Sequence, residues 1–139
     1  MFIVKLVKVS CGAVLFGALG ACSSSGGSSG GGGAGAELTN GCDAATATDM
    51  TTQSTVSLSW TLPHHECILI NKGSTVKWTG DFQVHPLAGG ITATRDPSSP
   101  ISMAAPANGQ QSVTFATAGE YPYFCEVHTT QMQGVVYVQ

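Results

Sequence analysis

The sequence predicts an all-β domain, a Greek-key β-sandwich of seven or eight short strands, set behind a leader and a flexible linker. Three observations lead there. Apolar residues alternate with Thr and Ser in several short runs, the period of a half-buried strand. Gly, Asn, Asp and Pro punctuate those runs at short intervals, as tight turns require. No segment sustains the apolar period of about 3.6 residues that a helix needs. Strands of this kind and spacing bury their apolar faces as two packed sheets.

The first part of the 139-residue chain stands apart from that domain. Residues 1–21 carry Lys5 and Lys8, then an apolar run over 9–19, then small residues. That order is a signal peptide, too short for a comfortable membrane span. Leu19-Gly20-Ala21-Cys22 resembles the lipobox of bacterial lipoproteins, which implies lipidation of Cys22 as the first mature residue. An ordinary signal peptide cut near Ala21 is the alternative. Residues 23–36 are Ser, Gly and Ala only, a flexible tether with a mean end-to-end distance of roughly 20 Å. With Cys22 they make a linker over 22–36. The expected location is the periplasm or cell envelope, with the chain lipid-anchored to a membrane.

Residues 37–139 are one domain by size. Residues 55–62 alternate Val56, Leu58, Trp60 and Leu62 with Thr and Ser, which reads as a strand. Pro63-His64-His65-Glu66 breaks it, and residues 67–70 form a short apolar strand ending at the turn Asn71-Lys72-Gly73. Residues 74–79 bury Val76 and Trp78 on one face. Gly80-Asp81 turns the chain into an extended stretch over 82–87, a loop over 88–90 and a short strand over 91–94. Pro97, Pro100 and Pro106 make 95–109 an irregular excursion. Residues 111–116 point Val113 and Phe115 inward. After the turn Ala118-Gly119-Glu120, residues 121–125 and 134–138 complete the sheets.

Charge excludes one class of partner. Beyond the leader, three basic residues (Lys72, Lys77, Arg95) face eight acidic ones, a net charge near −5. No basic footprint for DNA or RNA exists, so nucleic acid is not an expected partner. An acidic surface steers basic redox partners or serves solubility alone.

The chemistry gathers in residues 123–134, where Cys125, His128 and Met132 are spaced Cys-x2-His-x3-Met. Soft sulfur ligands select copper, and one Cys with two His and a weak axial Met is a blue-copper donor set. His85, in Phe82-Gln83-Val84-His85-Pro86-Leu87, is the candidate for the second imidazole. Zinc also uses Cys-x2-His, but it would want another Cys or His where Met132 stands. A buried thiol at Cys125 and a core Met132 are the plain alternatives, against which the joint spacing argues. With Cys11 in the leader, Cys22 lipidated and Cys125 on the metal, Cys42 and Cys67 remain to form a disulfide or two free thiols. His64 and His65 lie in a Pro-bounded loop and read as solvated surface rather than a second metal site.

Gly73-Ser74-Thr75-Val76-Lys77-Trp78, then Val84-His85-Pro86, then Ala118-Gly119-Glu120-Tyr121-Pro122-Tyr123-Phe124-Cys125 resemble successive strands of a cupredoxin. Cys125-x2-His128 followed by Met132-x-Gly134-x-Val136 is similar to plastocyanin, pseudoazurin and amicyanin. The resemblance covers 55–139. It implies an eight-stranded sandwich with one copper at its end, held by His85, Cys125, His128 and Met132, and one-electron transfer without substrate turnover. It also implies that His128 is the electron exit and that a redox protein, a cytochrome or an oxidase, is the partner. The tethered N-terminus with Cys42 and Cys67 resembles bacterial plastocyanin-like lipoproteins. A module for copper storage, delivery or tolerance would use the same ligands. A multicopper enzyme would need more than the four histidines present.

Two departures from the family pattern stand out. The gap from His128 to Met132 is one residue shorter than in plastocyanin and one longer than in amicyanin, which admits Gln131 or Gln133 as axial competitor. Pro86 stands where plastocyanin has an Asn whose side chain ties the two ligand loops together. It has no amide hydrogen, and it pushes His85 towards extended backbone.

Overall fold

Alternation in the sequence becomes pleat in the structure, a computed structural model that describes residues 38–101 and 108–139. Strand β2 (Thr55–Trp60) buries Val56, Leu58 and Trp60, and β4 (Thr75–Gly80) buries Val76 and Trp78. They pair in parallel, Leu58 opposite Trp78, and β4 pairs antiparallel with β7 (Gln110–Thr114). The second sheet has the order β1-β3-β9-β8-β5-β6. Its members are β1 (Thr48–Asp49), β3 (His64–Ile70), β5 (Leu87–Ile91), β6 (Thr94–Arg95), β8 (Gly119–Cys125) and β9 (Met132–Val138). Both sheets close over Trp60, Trp78, Phe82, Phe115 and Tyr123, with Ile68, Ile70 and Val136 between them. Each such side chain contributes about 1.5–3 kcal/mol on leaving water.

The chain is an all-β sandwich, without an α-helix among the described residues. Nine strands replace the expected seven or eight because β1 and β6, two residues each, pair at the sheet edges. The leader (1–21), the linker with Cys22 (22–36) and Glu37 lie outside the described residues, as do residues 102–107 of the 95–109 excursion.

Four local expectations are corrected. Residues 82–85 form a turn, because the Asp81 carboxylate accepts from the amides of Gln83 and Val84, and the Asp81 carbonyl accepts from His85. Residues 88–90 are strand rather than loop, because glycine admits neighbours that a side chain would exclude. A Cβ on Gly89 would meet Ser99 Oγ at 2.2 Å, and one on Gly90 the Thr94 carbonyl at 2.1 Å. The expected strand over 91–94 is split: Ile91 ends β5 and Thr94 opens β6, with a turn at Thr92 and Ala93, the latter at φ 64°. Further back, His64 opens β3 instead of lying in a break, paired in parallel with Met132.

Strand β9 is buried on both faces. Met132, Val136 and Val138 enter the central core, while Val135 and Tyr137 pack outward under Cys42, Ala47, Cys67 and Leu69. That outer layer is pinned by the Cys42–Cys67 disulfide and by Asn40, only 5% exposed. The Asn40 amide nitrogen donates to the carbonyls of Tyr123 (2.9 Å), Gly90 (3.2 Å) and Gly134 (3.3 Å). Its oxygen accepts from Thr92 N–H (2.8 Å) and Oγ1 (2.9 Å). One side chain therefore stitches residues 39–42 to β5, β8 and β9. Asn40→Ala should cost about 2–3 kcal/mol in denaturant unfolding, since it strands buried backbone carbonyls. A loss under about 0.5 kcal/mol, the scale of a surface substitution, would show that Asn40 does not hold the outer layer.

Candidate metal centre

Three donor atoms meet at one end of the sandwich. Cys125 ends β8, His128 follows in the next turn, and His85 comes from the turn before β5. His85 Nδ1 and His128 Nδ1 lie 3.1 Å apart, and Cys125 Sγ lies 3.9 Å and 3.8 Å from them. A triangle with those sides has its equidistant point about 2.1 Å from each atom, within the bond lengths of about 2.0–2.3 Å that imidazole and thiolate make to a divalent ion. One thiolate with two imidazoles is a donor set that suits copper. Cys125 is buried and the two histidines are half-buried.

Each donor is held by contacts independent of metal. His85 donates its amide hydrogen to Asp81 O (2.8 Å), and its carbonyl accepts from the Trp60 indole N–H at 2.7 Å. Cys125 faces Leu87 across the β8–β5 pair. Next to it, Glu126 N–H donates to the Pro86 carbonyl at 3.0 Å. That backbone bond joins the two ligand segments without any Asn side chain. The exposed Arg95–Glu126 ion pair lies on the same residue, where solvent leaves it little energy. The His128 carbonyl accepts from both Gln131 and Met132 amides (2.9 Å each), so the three-residue gap closes as one tight turn.

Met132 is fully buried in the same core cluster as Cys125. Its two competitors are placed elsewhere. Gln131 is exposed, and Gln133 turns outward, where its side-chain amide meets Thr92 Oγ1. Trp60, Asp81 and the Pro86 carbonyl are the supporting groups that sequence reasoning missed. The Pro86 carbonyl and the Asp81 carbonyl on His85 are backbone atoms, which leave no mark in sequence; the Asp81 carboxylate read only as part of a turn, and Trp60 was visible only as a core residue.

His64 is not solvated surface. It is 4% exposed, with Nδ1–H donating to Ser59 O (2.9 Å) and Nε2 accepting from the Tyr123 hydroxyl (3.0 Å). Trp60 packs edge-on against its ring. The same phenol lies 3.2 Å from Glu66 O, and a Cβ at Gly134 would press on it at 2.6 Å. Burial pushes the phenol well above its ordinary pKa, so it stays a donor. His65 is exposed, as expected, and Nε2 donates to Asn40 O at 3.0 Å.

A family model for copper binding proteins of the plastocyanin/azurin family matches residues 51–139, which include all four ligand candidates. No curated protein matches the chain. Among solved structures, a pseudoazurin from Sinorhizobium meliloti is 18% identical, at a TM-score of 0.47 over 61% of this chain and 73% of its own. Amicyanin from Paracoccus versutus is 21% identical, at a TM-score of 0.38 over 73% and 90%. A copper-containing nitrite reductase from Thermus scotoductus is 20% identical, at a TM-score of 0.47 over 61% of this chain, which spans only 22% of the reductase.

Burial lowers the His64 pKa below its ordinary 6.5, against opposing help from the Ser59 carbonyl and Glu66. The unfolded chain therefore takes this proton first as pH falls, and stability declines below about pH 6.5 while the contribution is complete above it. Denaturant unfolding at stepped pH should show that slope in the wild type and a shallower one in His64→Gln; equal slopes would remove His64 as its source.

Proposed function

The chain belongs to the plastocyanin/azurin family of copper-binding proteins, and from that premise we propose that it is a membrane-tethered type 1 copper protein that carries single electrons between redox partners. One copper ion per chain is its cofactor. The observation that carries the reading is the convergence of Cys125 Sγ with the Nδ1 atoms of His85 and His128.

When bound, copper supplies a Cu(II)/Cu(I) couple that takes up and returns one electron. The chain's part is to hold its donors still. His85 is fixed by Asp81 and Trp60, Cys125 by the β5 pairing, and His128 by the turn on its carbonyl. Donors held by the fold need little rearrangement when charge changes, and a small rearrangement favours fast transfer. Met132, buried in the same core cluster as Cys125, would supply the weak fourth donor that tunes the potential. His128 is half-buried, which suits a ring edge that hands the electron out. Val127 (63% exposed) and Val84 (53%) adjoin the two histidines in sequence and offer apolar contact to a protein partner, a cytochrome or an oxidase.

The carrier role fits better than catalysis. Of four histidines, His64 is buried against Ser59 and Tyr123, and only His85 and His128 join Cys125, so that end of the sandwich has no histidine set for a second copper that binds substrate. Storage or delivery would require copper to leave readily, which donors pinned by backbone bonds oppose. Residues 1–36 support the anchoring: a signal peptide, Cys22 within a lipobox-like motif and a Ser/Gly/Ala tether would keep the domain beside an envelope membrane.

The chain with one equivalent of Cu(II) should absorb intensely in the red through thiolate-to-copper charge transfer, and Cys125→Ser should abolish the band. A colourless Cu(II) complex would rule the reading out. Electron self-exchange faster than copper release separates carrier from store. Met132→Leu should keep the band and raise the potential; an unchanged potential would remove Met132 as axial ligand.

A further inference from the structure

A second group of soft donors lies on the outer face of the six-stranded sheet. Cys42 Sγ, Cys67 Sγ and a His65 ring nitrogen lie within 4.8 Å of one another. The two cysteines are joined in this structure, with Cα atoms 5.6 Å apart. We infer that this clasp is a redox-gated Cu(I) site: once the Cys42–Cys67 bond is reduced, both thiolates and His65 bind one cuprous ion, separate from the one at Cys125.

Chemistry and preorganisation support it. Two thiolates and an imidazole form a soft, low-coordinate set that suits Cu(I), whereas structural zinc wants a fourth protein ligand. Reduction normally frees a loop, but here the loop has a second attachment. Asn40 holds residues 39–42 against Gly90, Thr92, Tyr123 and Gly134 through contacts that do not involve sulfur. Cys42 N–H also bonds back to Thr39 O at 2.8 Å. On the other side, Cys67 and His65 sit in β3, paired with Val135 and Gln133. Gly41, at φ 74°, lets the imidazole approach the loop, for a Cβ there would stand 2.7 Å from His65 Nε2. His65 is exposed and gives the ion a way in.

The steps balance. A dithiol reductant attacks the disulfide by two thiol–disulfide exchanges, the Cys42–Cys67 bond breaks, and the reductant leaves as its own disulfide. Two electrons and two protons pass to Cys42 and Cys67. Binding Cu(I) to both sulfurs then releases the two protons, and copper does not change oxidation state.

The test counts Cu(I) on the full chain, anaerobically, by competition with a coloured cuprous chelator before and after dithiothreitol treatment and its removal. The reduced chain should bind one equivalent more than the oxidised chain. Cys42→Ser with Cys67→Ser should lose that extra equivalent while keeping the rest, which also subtracts any copper held by Cys11 or Cys22. His65→Gln, which leaves the disulfide intact, should weaken the extra site by at least about tenfold. Near-ultraviolet circular dichroism of Trp60 and Trp78 should survive reduction. Equal counts before and after reduction, an extra equivalent that survives the double substitution, Zn(II) bound in its place, or loss of the dichroism on reduction would each overturn the inference. A normal red Cu(II) band with equal counts would overturn it while leaving the electron-carrier reading intact.

Discussion

The hydrogen bond from Glu126 N–H to the Pro86 carbonyl, next to the Leu87–Cys125 pair, is the constraint on which the metal centre depends. His85 and Cys125 are forty residues apart in sequence. Bringing them together costs chain entropy that a single metal ion would otherwise have to offset. Here the β5–β8 ladder has already met that cost, because the strands pair for the sake of the sandwich core. The ligands then sit at the end of a formed ladder: His85 two positions before Leu87, and Cys125 opposite Leu87. Trp60 extends the same logic across the core. Its ring is an inward residue of the opposite sheet, and its N–H satisfies the His85 carbonyl that the turn leaves open. Core packing and ligand placement are therefore one structural event.

Much of this was legible in the sequence, for a physical reason. The two-residue period at Val56, Leu58 and Trp60, and at Val76 and Trp78, marks strands because burial of one face selects it. The Cys-x2-His-x3-Met spacing is equally local, since a strand end and one turn suffice to present three donors. The failures share a different cause. Gly89 and Gly90 read as loop because a lone sequence does not reveal the neighbour that needs their missing side chains. His64 read as solvent-exposed because the partners that satisfy it, Ser59 O and Tyr123 Oη, lie on other segments. Asn40 gave no signal at all: its five contacts reach four residues from 50 to 94 positions away. Periodicity and spacing report what a residue does along its own chain. Polar side chains that join separate segments are invisible to both.

The two sulfur centres are divided by the pleat of a single strand. Along β9, Met132, Val136 and Val138 face the core that holds Cys125, while Val135 and Tyr137 face the layer that holds Cys42 and Cys67. Successive side chains of a strand point to opposite faces, so no register can bring the two groups together without turning β9 over and exposing one of its cores. Gln133 shows how the separation is enforced beside the ligand turn. Its neighbour Met132 points inward, and Gln133 itself is drawn outward to Thr92, which Asn40 in turn holds. Redox chemistry at the outer clasp can therefore change without moving the inner donors. That insulation follows from strand geometry alone, and it lets one small domain carry two sulfur centres of different character.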